Sequence, residues 1–471
     1  MDESSPPANA KPSSSARGGA GPPRIANARA LAEHGLAKLR EPALAIAAAG
    51  LASAHPGAAV AEVVRLEGDQ LVVDGVRHPL DPGDRVVVLG AGKASLAIAA
   101  ALEEVLGDRL DGGAIAVKGR AEALRHVEVL EADHPLPGER SVAAGRRLME
   151  LAAGLNAGDI ALCCFTGGSS ALSAVPPTGV TVEDKRELHA TLLAAGMPID
   201  EMNAVRKHAS ASKGGRVAEL AAPAEVINLT VSDVAHDRLD VLTDPSVPDT
   251  TTPQDAIAVL RDYGLWERMP ASIRHHLDSA YAASPELDAR LIQSVILASG
   301  SSVCDAMSVE ATARGLASVV LSTTLQGEAR WIGATIGNLA RESWDRGAPF
   351  SPPCALLGCG GEGTVRLGPK AEFGVGGPNQ EAALAAAAEL AGAPVAALFI
   401  DTDGSDGSSD VAGGIVDGTT RGRADEAGLD LRAALLGHRA TGALDALGDA
   451  VRTGATDTNV NDLFVVVVGE D

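Results

Sequence analysis

With 471 residues, the chain is too long for one ordinary hydrophobic core, so we expect two domains. Its composition, 46% hydrophobic but only 2% aromatic with 53 glycines, favours α/β layers packed with Ala, Val, Leu and Ile. A formal net charge of −23 with no basic run argues against a nucleic-acid binder, which needs a basic face.

The cysteines and the N-terminal segment bear on the compartment. The five cysteines form no Cys-x-x-Cys pair, which favours a reducing cytoplasm over disulfides or a zinc knuckle. No apolar stretch reaches about 18 residues, and the N-terminus lacks the apolar segment of a signal peptide. We therefore expect a cytoplasmic protein with no membrane partner and a disordered tail over residues 1–27.

The first half of the chain alternates buried strands with helices. A parallel sheet with helices on both faces is the expected result. The predicted strands are 85–89, 113–117, 160–165 and 226–231, with a helix near 182–195.

Polar helical sequence over residues 271–290 separates this series from a second one. We predict an N-terminal α/β domain over 28–285 and a C-terminal α/β domain over 286–471. The strands predicted for the second domain are 291–298, 317–321, 354–357, 395–400 and 463–468. The fold class is therefore two α/β/α domains with mainly parallel sheets around a deep interdomain cleft.

Ligands bind beyond the carboxyl ends of strands in such sheets, and Gly90-Ala-Gly-Lys93 follows the first strand. Val87 stands where a Walker A loop needs glycine, and the next strand ends in Lys118 where a dinucleotide-binding fold carries an acidic residue. We therefore expect neither a P-loop nor NAD. Lys93 is placed at a helix N-terminus, where it could hold a phosphoryl group or simply face solvent.

Two further strand ends carry candidate groups. Gly167, Gly168, Ser169 and Ser170 could form a nest of backbone amides for a phosphate, with a plain tight turn as the alternative. A serine nucleophile is disfavoured because the Gly-x-Ser-x-Gly pattern is absent. Asp233, with Asp237 four residues on, could activate a hydroxyl, hold a metal or cap a helix.

The second domain repeats this arrangement. Glu362 lies in a glycine loop, and the amides of Gly376, Gly377 and Asn379 precede a helix where phosphate is favoured. Four aspartates crowd residues 401–410, but Asp406 replaces the glycine that an EF-hand requires, which leaves a Mg²⁺ or nucleotide role for Asp403 and Asp406. Together these loops predict a ligand cleft between the domains.

These motifs resemble those of the class II glycerate 2-kinases, whose C-terminal region is called the MOFRL domain and some of which are labelled hydroxypyruvate reductases. The similarity runs from about Arg29 to Gly469. It rests on residues 90–94, 132–138, 166–172, 203–208, 213–216, 232–234, 360–362, 379–381, 401–407 and 458–462.

The resemblance implies an enzyme that transfers the γ-phosphoryl group of ATP to the 2-hydroxyl of D-glycerate, with a divalent metal. Lys93 and Asp233 match the family's catalytic lysine and aspartate. On that reading Asp233 orients or deprotonates the hydroxyl, Lys93 neutralises the moving phosphoryl group, and Mg²⁺ on Asp233 and Glu362 bridges the phosphates. A homodimer is one candidate for the assembled state.

Three departures from the family pattern concern the acceptor side. Pro378 replaces an arginine, His236 precedes Asp237 where the family has glycine, and Asp244 replaces another glycine. Either another basic residue such as Arg206 compensates, or the acceptor is a different sugar acid, a sugar or a nucleoside. A regulatory homologue without turnover is the alternative from another class, and an NAD-dependent reductase is the least favoured.

Overall fold

A computed structural model describes residues 23–119, 123–367 and 373–470, and two six-stranded sheets form its framework. Much of the predicted tail, residues 1–22, lies outside the described residues. The prediction of disorder up to residue 27 is wrong at its end, because Ile25 is buried and the Ala26 amide donates to the Arg452 carbonyl at 2.7 Å.

The first sheet is wholly parallel and has the strand order β6-β5-β4-β7-β8-β9. Three short antiparallel strands precede it: β1 (Val64–Glu67), β2 (Gln70–Val73) and β3 (Val76–Pro79). The sheet itself consists of β4 (Val86–Ala91), β5 (Gly112–Lys118), β6 (Glu128–Ala132), β7 (Ile160–Phe165), β8 (Glu225–Val231) and β9 (Ile292–Ala298).

Helices surround this sheet because its central strands are buried along their length. In chain order the helices are α1 (Ala28–Ala32), α2 (Ala37–Ser53), α3 (Pro56–Val63), α4 (Ser95–Leu106), α5 (Glu139–Ala153), α6 (Ser169–Leu172), α7 (Val182–Ala194), α8 (Ile199–His208), α9 (Arg216–Ala221), α10 (Pro253–Asp262) and α11 (Ala271–Leu277).

The second sheet has the order β10-β12-β17-β14-β15-β16. Its strands are β10 (Ala317–Ser322), β12 (Cys354–Gly361), β14 (Val395–Asp401), β15 (Gly413–Asp417), β16 (Ala450–Val451) and β17 (Asp462–Val468), and a separate pair joins β11 (Gly327–Glu328) to β13 (Gly363–Thr364). Its helices are α12 (Gly300–Ala313), α13 (Ala329–Arg346), α14 (Pro378–Leu390), α15 (Thr420–Glu426), α16 (Leu431–Leu436) and α17 (Ala440–Leu447).

The α/β class is confirmed, with all-parallel pairing in the first sheet and mixed pairing in the second. Within the second sheet only β10 and β12 pair in parallel. The connection from β14 to β15 contains no helix, so the chain turns back directly beside the strand it has just left. A parallel neighbour would need a long crossover instead.

Strand β9 belongs to the first sheet, where it pairs with β8 from Val226 opposite Ile292 to Val231 opposite Ala298. The sequence prediction that residues 291–298 start the second series is therefore wrong, because an apolar run does not reveal which sheet it joins. The domain division at residue 286 stays a prediction, and the change of sheet itself comes after residue 298.

Helix α2 lies against the second sheet, although the sequence places it in the first domain. It packs on α12, β14 and β17. Its fully buried Arg40 donates to Asp417 and, at 2.8 Å, to Asp449. The first long helix of the chain therefore packs directly against its last strand.

In the part of the chain that the structure describes, no single helix is long and apolar enough to cross a membrane. Helices α2 and α3 meet those criteria only as a pair, bent by 54°, and only by length and composition.

Candidate active site

A cavity of about 930 Å³ opens between the two sheets. The first sheet contributes the loops at the carboxyl ends of β4, β7 and β8, together with part of α8. The second contributes the segments after β12 and β14 and the one before β17. The charged and polar lining includes Lys93, Ser169, Ser170, Asp200, Asn203, Arg206, Asp233, His236, Asp244, Glu362, Asp401, Asp403, Asn459 and Asn461.

Lys93 reaches the cavity because two loops of the first sheet are tied together. The Lys93 amide donates to the Gly167 carbonyl at 2.9 Å, and the Ala94 amide donates to Thr166 Oγ1 at 3.1 Å. Gly92 adopts a φ of +134°, and a Cβ there would lie 2.7 Å from the Thr166 carbonyl oxygen. Only glycine allows so close an approach of the two loops. The turn therefore fixes the backbone position from which the Lys93 side chain extends.

The Lys93 side chain reaches across the cavity to the acidic loop of the second sheet, residues 401–410. Its Nζ donates to Asp403 Oδ2 at 2.5 Å. Burial lowers the pKa of Lys93, but the charge and the hydrogen bond of Asp403 oppose that effect. Asp401 and Asp233 add to the attraction, and the net result is a raised pKa. The amine is therefore a stable cation at neutral pH.

Asp233 follows β8 and faces the same space. Burial, reinforced by the charge of Glu362 and opposed by that of Lys93, raises its pKa to about 6. A Cβ on Gly167 would come within 3.2 Å of Asp233 Oδ2, so glycine there leaves room for the carboxylate. A carboxylate with a raised pKa is a better proton acceptor than an ordinary aspartate.

Asn461 holds Asp233 from the opposite side of the cleft. Its side-chain amide donates to the Asp233 carbonyl at 2.6 Å, and its own φ is +63°. A bridge from the second sheet therefore fixes the backbone of the aspartate. The motif at 458–462 is part of the family resemblance, but the sequence predicted no role for Asn459 or Asn461.

The pairing of β17 explains why these asparagines reach the cleft. Because β17 runs antiparallel to β14, Asp462 at its start pairs with Asp401 at the end of β14. A search confined to the carboxyl ends of strands overlooks residues that precede an antiparallel strand. The signal that could find them is the cluster of Thr, Asn and Asp directly before a buried apolar run.

The carboxylates in the wall suit a divalent cation that also binds phosphate. Burial raises the pKa of Glu362, and Asp403 raises it further, while Lys93 lowers it. Burial and the charges of Asp403 and Asp462 raise the pKa of Asp401. Lys93 alone does not balance the carboxylates in the wall, and an added cation would neutralise part of their remaining negative charge.

No group of three or more His, Cys, Asp or Glu residues is arranged to hold a metal within residues 23–119, 123–367 and 373–470. Mg²⁺ commonly takes one or two carboxylates and completes its shell with phosphate and water. Asp233 and Glu362, predicted as ligands, both line the cavity.

The predicted amide nest at Gly167–Ser170 forms part of the wall, with all four residues lining the cavity. Gly168 has a φ of +90°, and the Ser169 amide already donates to the Thr166 carbonyl at 3.0 Å. The Ser170 hydroxyl is buried without a hydrogen-bond partner. Among the described residues, that hydroxyl therefore keeps an unused hydrogen-bonding capacity.

Arg206 lines the cavity as a buried cation with few partners. Its side chain is 8% exposed, its Nη1 donates to Asn203 Oδ1 at 3.3 Å, and its Nε has no partner. No carboxylate of the described residues forms an ion pair with it. Burial lowers its pKa to about 10, so it keeps its charge at neutral pH.

The structure does not bring the second predicted nest to the cavity. Asp406 fills it: one carboxylate oxygen accepts from the Asn379 amide at 3.1 Å and the other from the Gln380 amide at 2.9 Å. A Cβ on Gly377 would overlap this carboxylate. Gly376, Gly377, Asn379 and Asp406 therefore form a closed helix cap outside the cavity wall.

The departures from the family pattern also lie in unexpected places. Pro378 begins α14 and lines a small separate cavity of about 30 Å³. His236 lines the large cavity, but its neighbour Asp237, predicted to bind the acceptor, does not. Asp244 does border the large cavity, but it is 3% exposed and accepts from Asn228 at 2.9 Å and Ser246 at 2.7 Å. Its charge is engaged within the protein.

Two family models match the chain. The first, described as a domain of unknown function (DUF4147), matches residues 42–278, and the second, the MOFRL family, matches residues 354–462.

Named relatives cover nearly the whole chain. It is 36% identical to a glycerate 2-kinase of Pyrococcus horikoshii, over 91% of this chain and 97% of that protein. It is 39% identical to a putative hydroxypyruvate reductase of Agrobacterium vitis, over 83% and 89%. Among solved structures, a glycerate kinase of Thermotoga maritima superposes with a TM-score of 0.78 at 35% identity, covering 90% of this chain and 97% of that one.

Proposed function

Since the chain belongs to the glycerate 2-kinase family and is a phosphotransferase with an alcohol group as acceptor, we propose that it transfers the γ-phosphoryl group of ATP to the 2-hydroxyl of D-glycerate. The observation that supports this best is the shared cavity. Lys93, Asp233 and the unpaired Arg206 all face it.

Arg206 is the group proposed to bind the acceptor. An arginine without an acidic partner suits a carboxylate, since such a contact is charge-assisted and can involve two parallel hydrogen bonds. The free Ser170 hydroxyl, also in the wall, offers a further contact. The proposed binding site for the carboxyl group of glycerate is therefore this pair, in the first domain.

Asp233 and Lys93 are the groups proposed to act on the reacting atoms. Asp233 accepts or orients the hydroxyl proton, which its raised pKa favours. Lys93 leaves Asp403 to neutralise charge on the moving phosphoryl group. Mg²⁺ held by Asp233 and Glu362, when bound, would neutralise phosphate charge and align the terminal group.

Glycerate is favoured over a diverged acceptor for a structural reason. Pro378, the most conspicuous departure, does not line the large cavity, and Asp244 is bonded to its neighbours. Neither residue therefore speaks against a small acid, and His236, the departure that does line the large cavity, is tested by the comparison of acceptors. We keep a cytoplasmic location and a homodimer as predictions, which cell fractionation and light scattering would test.

The test is ATP consumption with D-glycerate, L-glycerate, sugars and nucleosides as acceptors. We expect D-glycerate to be turned over fastest, and Lys93→Ala and Asp233→Asn each to abolish turnover, whereas Asp237→Asn, four residues on and outside the wall, should not. Nucleotide binding without turnover of any acceptor would favour a regulatory protein. Oxidation of NADH with hydroxypyruvate would favour a reductase.

A further inference from the structure

Two buried lysines lie behind the cavity wall, beside Arg206. Lys213 is 2% exposed and its Nζ donates to the Ser170 carbonyl at 3.0 Å. Lys185, on α7, is 3% exposed and its Nζ donates to the Ala209 carbonyl at 2.6 Å. Each lysine thus bonds to a backbone carbonyl, one of them in the Gly167–Ser170 turn.

Lys185, Lys213 and Arg206 have little negative charge near them to balance their own. Neither lysine forms an ion pair with a carboxylate in the described parts of the chain, and nor does Arg206. Asp244 is the one carboxylate whose charge acts favourably on Lys213. In a chain with a formal charge of −23, three neighbouring cations without paired acids are unusual.

The three charges act on one another. Burial and, to a lesser extent, the charges of Arg206 and Arg216 lower the pKa of Lys185 to about 7. Burial also lowers the pKa of Lys213, with Lys185 and Arg206 contributing. The hydrogen bonds place both lysines near the acceptor side of the cavity: Lys213 contacts Ser170 in the wall, and Lys185 contacts Ala209, three residues after Arg206.

We propose that Lys213 and Lys185 are positioning residues that give the Arg206 subsite its preference for an anionic acceptor. Lys213 fixes the carbonyl of Ser170 and so orients that loop. A carboxylate at Arg206 favours the protonated forms of Lys213 and Lys185, and their positive charge in turn stabilises the bound carboxylate. The inference rests on the proposed function, because that function places the acceptor carboxylate at Arg206.

The experiment compares an acid with its uncharged analogue. D-glycerate and its amide, D-glyceramide, are tested as acceptors with wild type, Lys213→Met and Lys213→Arg. We expect Lys213→Met to lower kcat/KM for the acid by about 10-fold, the scale of losing one nearby unit charge from a buried site, and to change kcat/KM for the amide and KM for ATP little. Lys213→Arg, which keeps the charge, should retain most of the preference.

A merely structural role predicts a different outcome. If Lys213→Met lowers kcat/KM equally for acid and amide, or lowers neither, the inference is overturned. Lys185→Met provides a second variant should Lys213→Met fail to fold, and the same loss of preference for the acid is expected. Circular dichroism of each variant identifies unfolding.

Calorimetric binding of the two compounds without nucleotide separates this inference from the proposed function. If wild type binds the acid over the amide and Lys213→Met loses that preference, the inference stands even where no phosphate is transferred. If wild type phosphorylates D-glycerate but Lys213→Met keeps the preference, the inference alone fails. No preference in wild type overturns it as well.

Discussion

Replacing Asp406 with alanine should destabilise the protein and leave nucleotide binding unchanged. In the structure the carboxylate accepts from the Asn379 amide and side chain at 3.1 and 3.2 Å, and from the Gln380 amide and side chain at 2.9 and 3.0 Å. The alanine variant removes all four bonds at once. Asp406 is 1% exposed, so the donors would stay buried.

The magnitude follows from these contacts. Loss of a helix cap typically costs about 1 kcal/mol, and a buried donor left without a partner costs about 1–3 kcal/mol. Burial raises the pKa of Asp406 despite its bonds, so removing the buried charge offsets part of that loss. We expect a decrease of about 2–4 kcal/mol in the free energy of unfolding.

The assay is urea unfolding combined with KM for ATP. Asp410→Ala is the matched control, because Asp410 lies in the same loop and is exposed. It should leave both quantities nearly unchanged. A large rise in KM for ATP with unaltered unfolding of Asp406→Ala would refute the capping role and restore Asp406 as a phosphate-site residue.

Three further substitutions test the surroundings of the site by urea unfolding. Arg40→Met should cost about 3–5 kcal/mol, because Asp417 stays buried without its partner, and an unchanged midpoint would contradict this. Lys185 has a folded-state pKa of about 7, below its unfolded value, so wild-type stability should rise with pH above 7, and Lys185→Met should remove that rise and stabilise the protein at pH 7. Asp244→Gly, which restores the family's glycine, should destabilise the protein, because Asn228 and Ser246 lose a buried acceptor, without improving turnover of D-glycerate.

The buried central strands of the first sheet were predictable because they contain continuous apolar runs closed by glycine or polar residues. Strands β7 and β8 match their predicted bounds to within one residue. The short strands were missed, since two to five residues carry too little pattern; they are β1–β3, β6, β11, β13, β15 and β16. Pairing in the second sheet was also beyond the sequence, because the direction of β17 depends on contacts across the whole domain.

The cavity shows the same division between local and long-range information. Lys93, Asp233 and the Gly167–Ser170 turn follow strands directly, so a local pattern located them. The turn at Gly376–Gly377 has an equally good local pattern, yet a carboxylate about thirty residues further on fills it. The sequence could not single out the three cations of the proposed acceptor subsite, Arg206, Lys185 and Lys213. Their distinguishing feature is that no described carboxylate forms an ion pair with them, and only the folded structure shows this.

The contact between α2 and β17 constrains how the chain matures during synthesis. Helix α2 emerges from the ribosome early, but β17, at residues 462–468 in the middle of the second sheet, is made last. At about 5–20 residues per second, the apolar face of α2 waits roughly 20–80 s for this partner. The first sheet can close during that interval, whereas the second cannot. Loss of the last ten residues would therefore split the second sheet at its centre and release the N-terminal helix together with it.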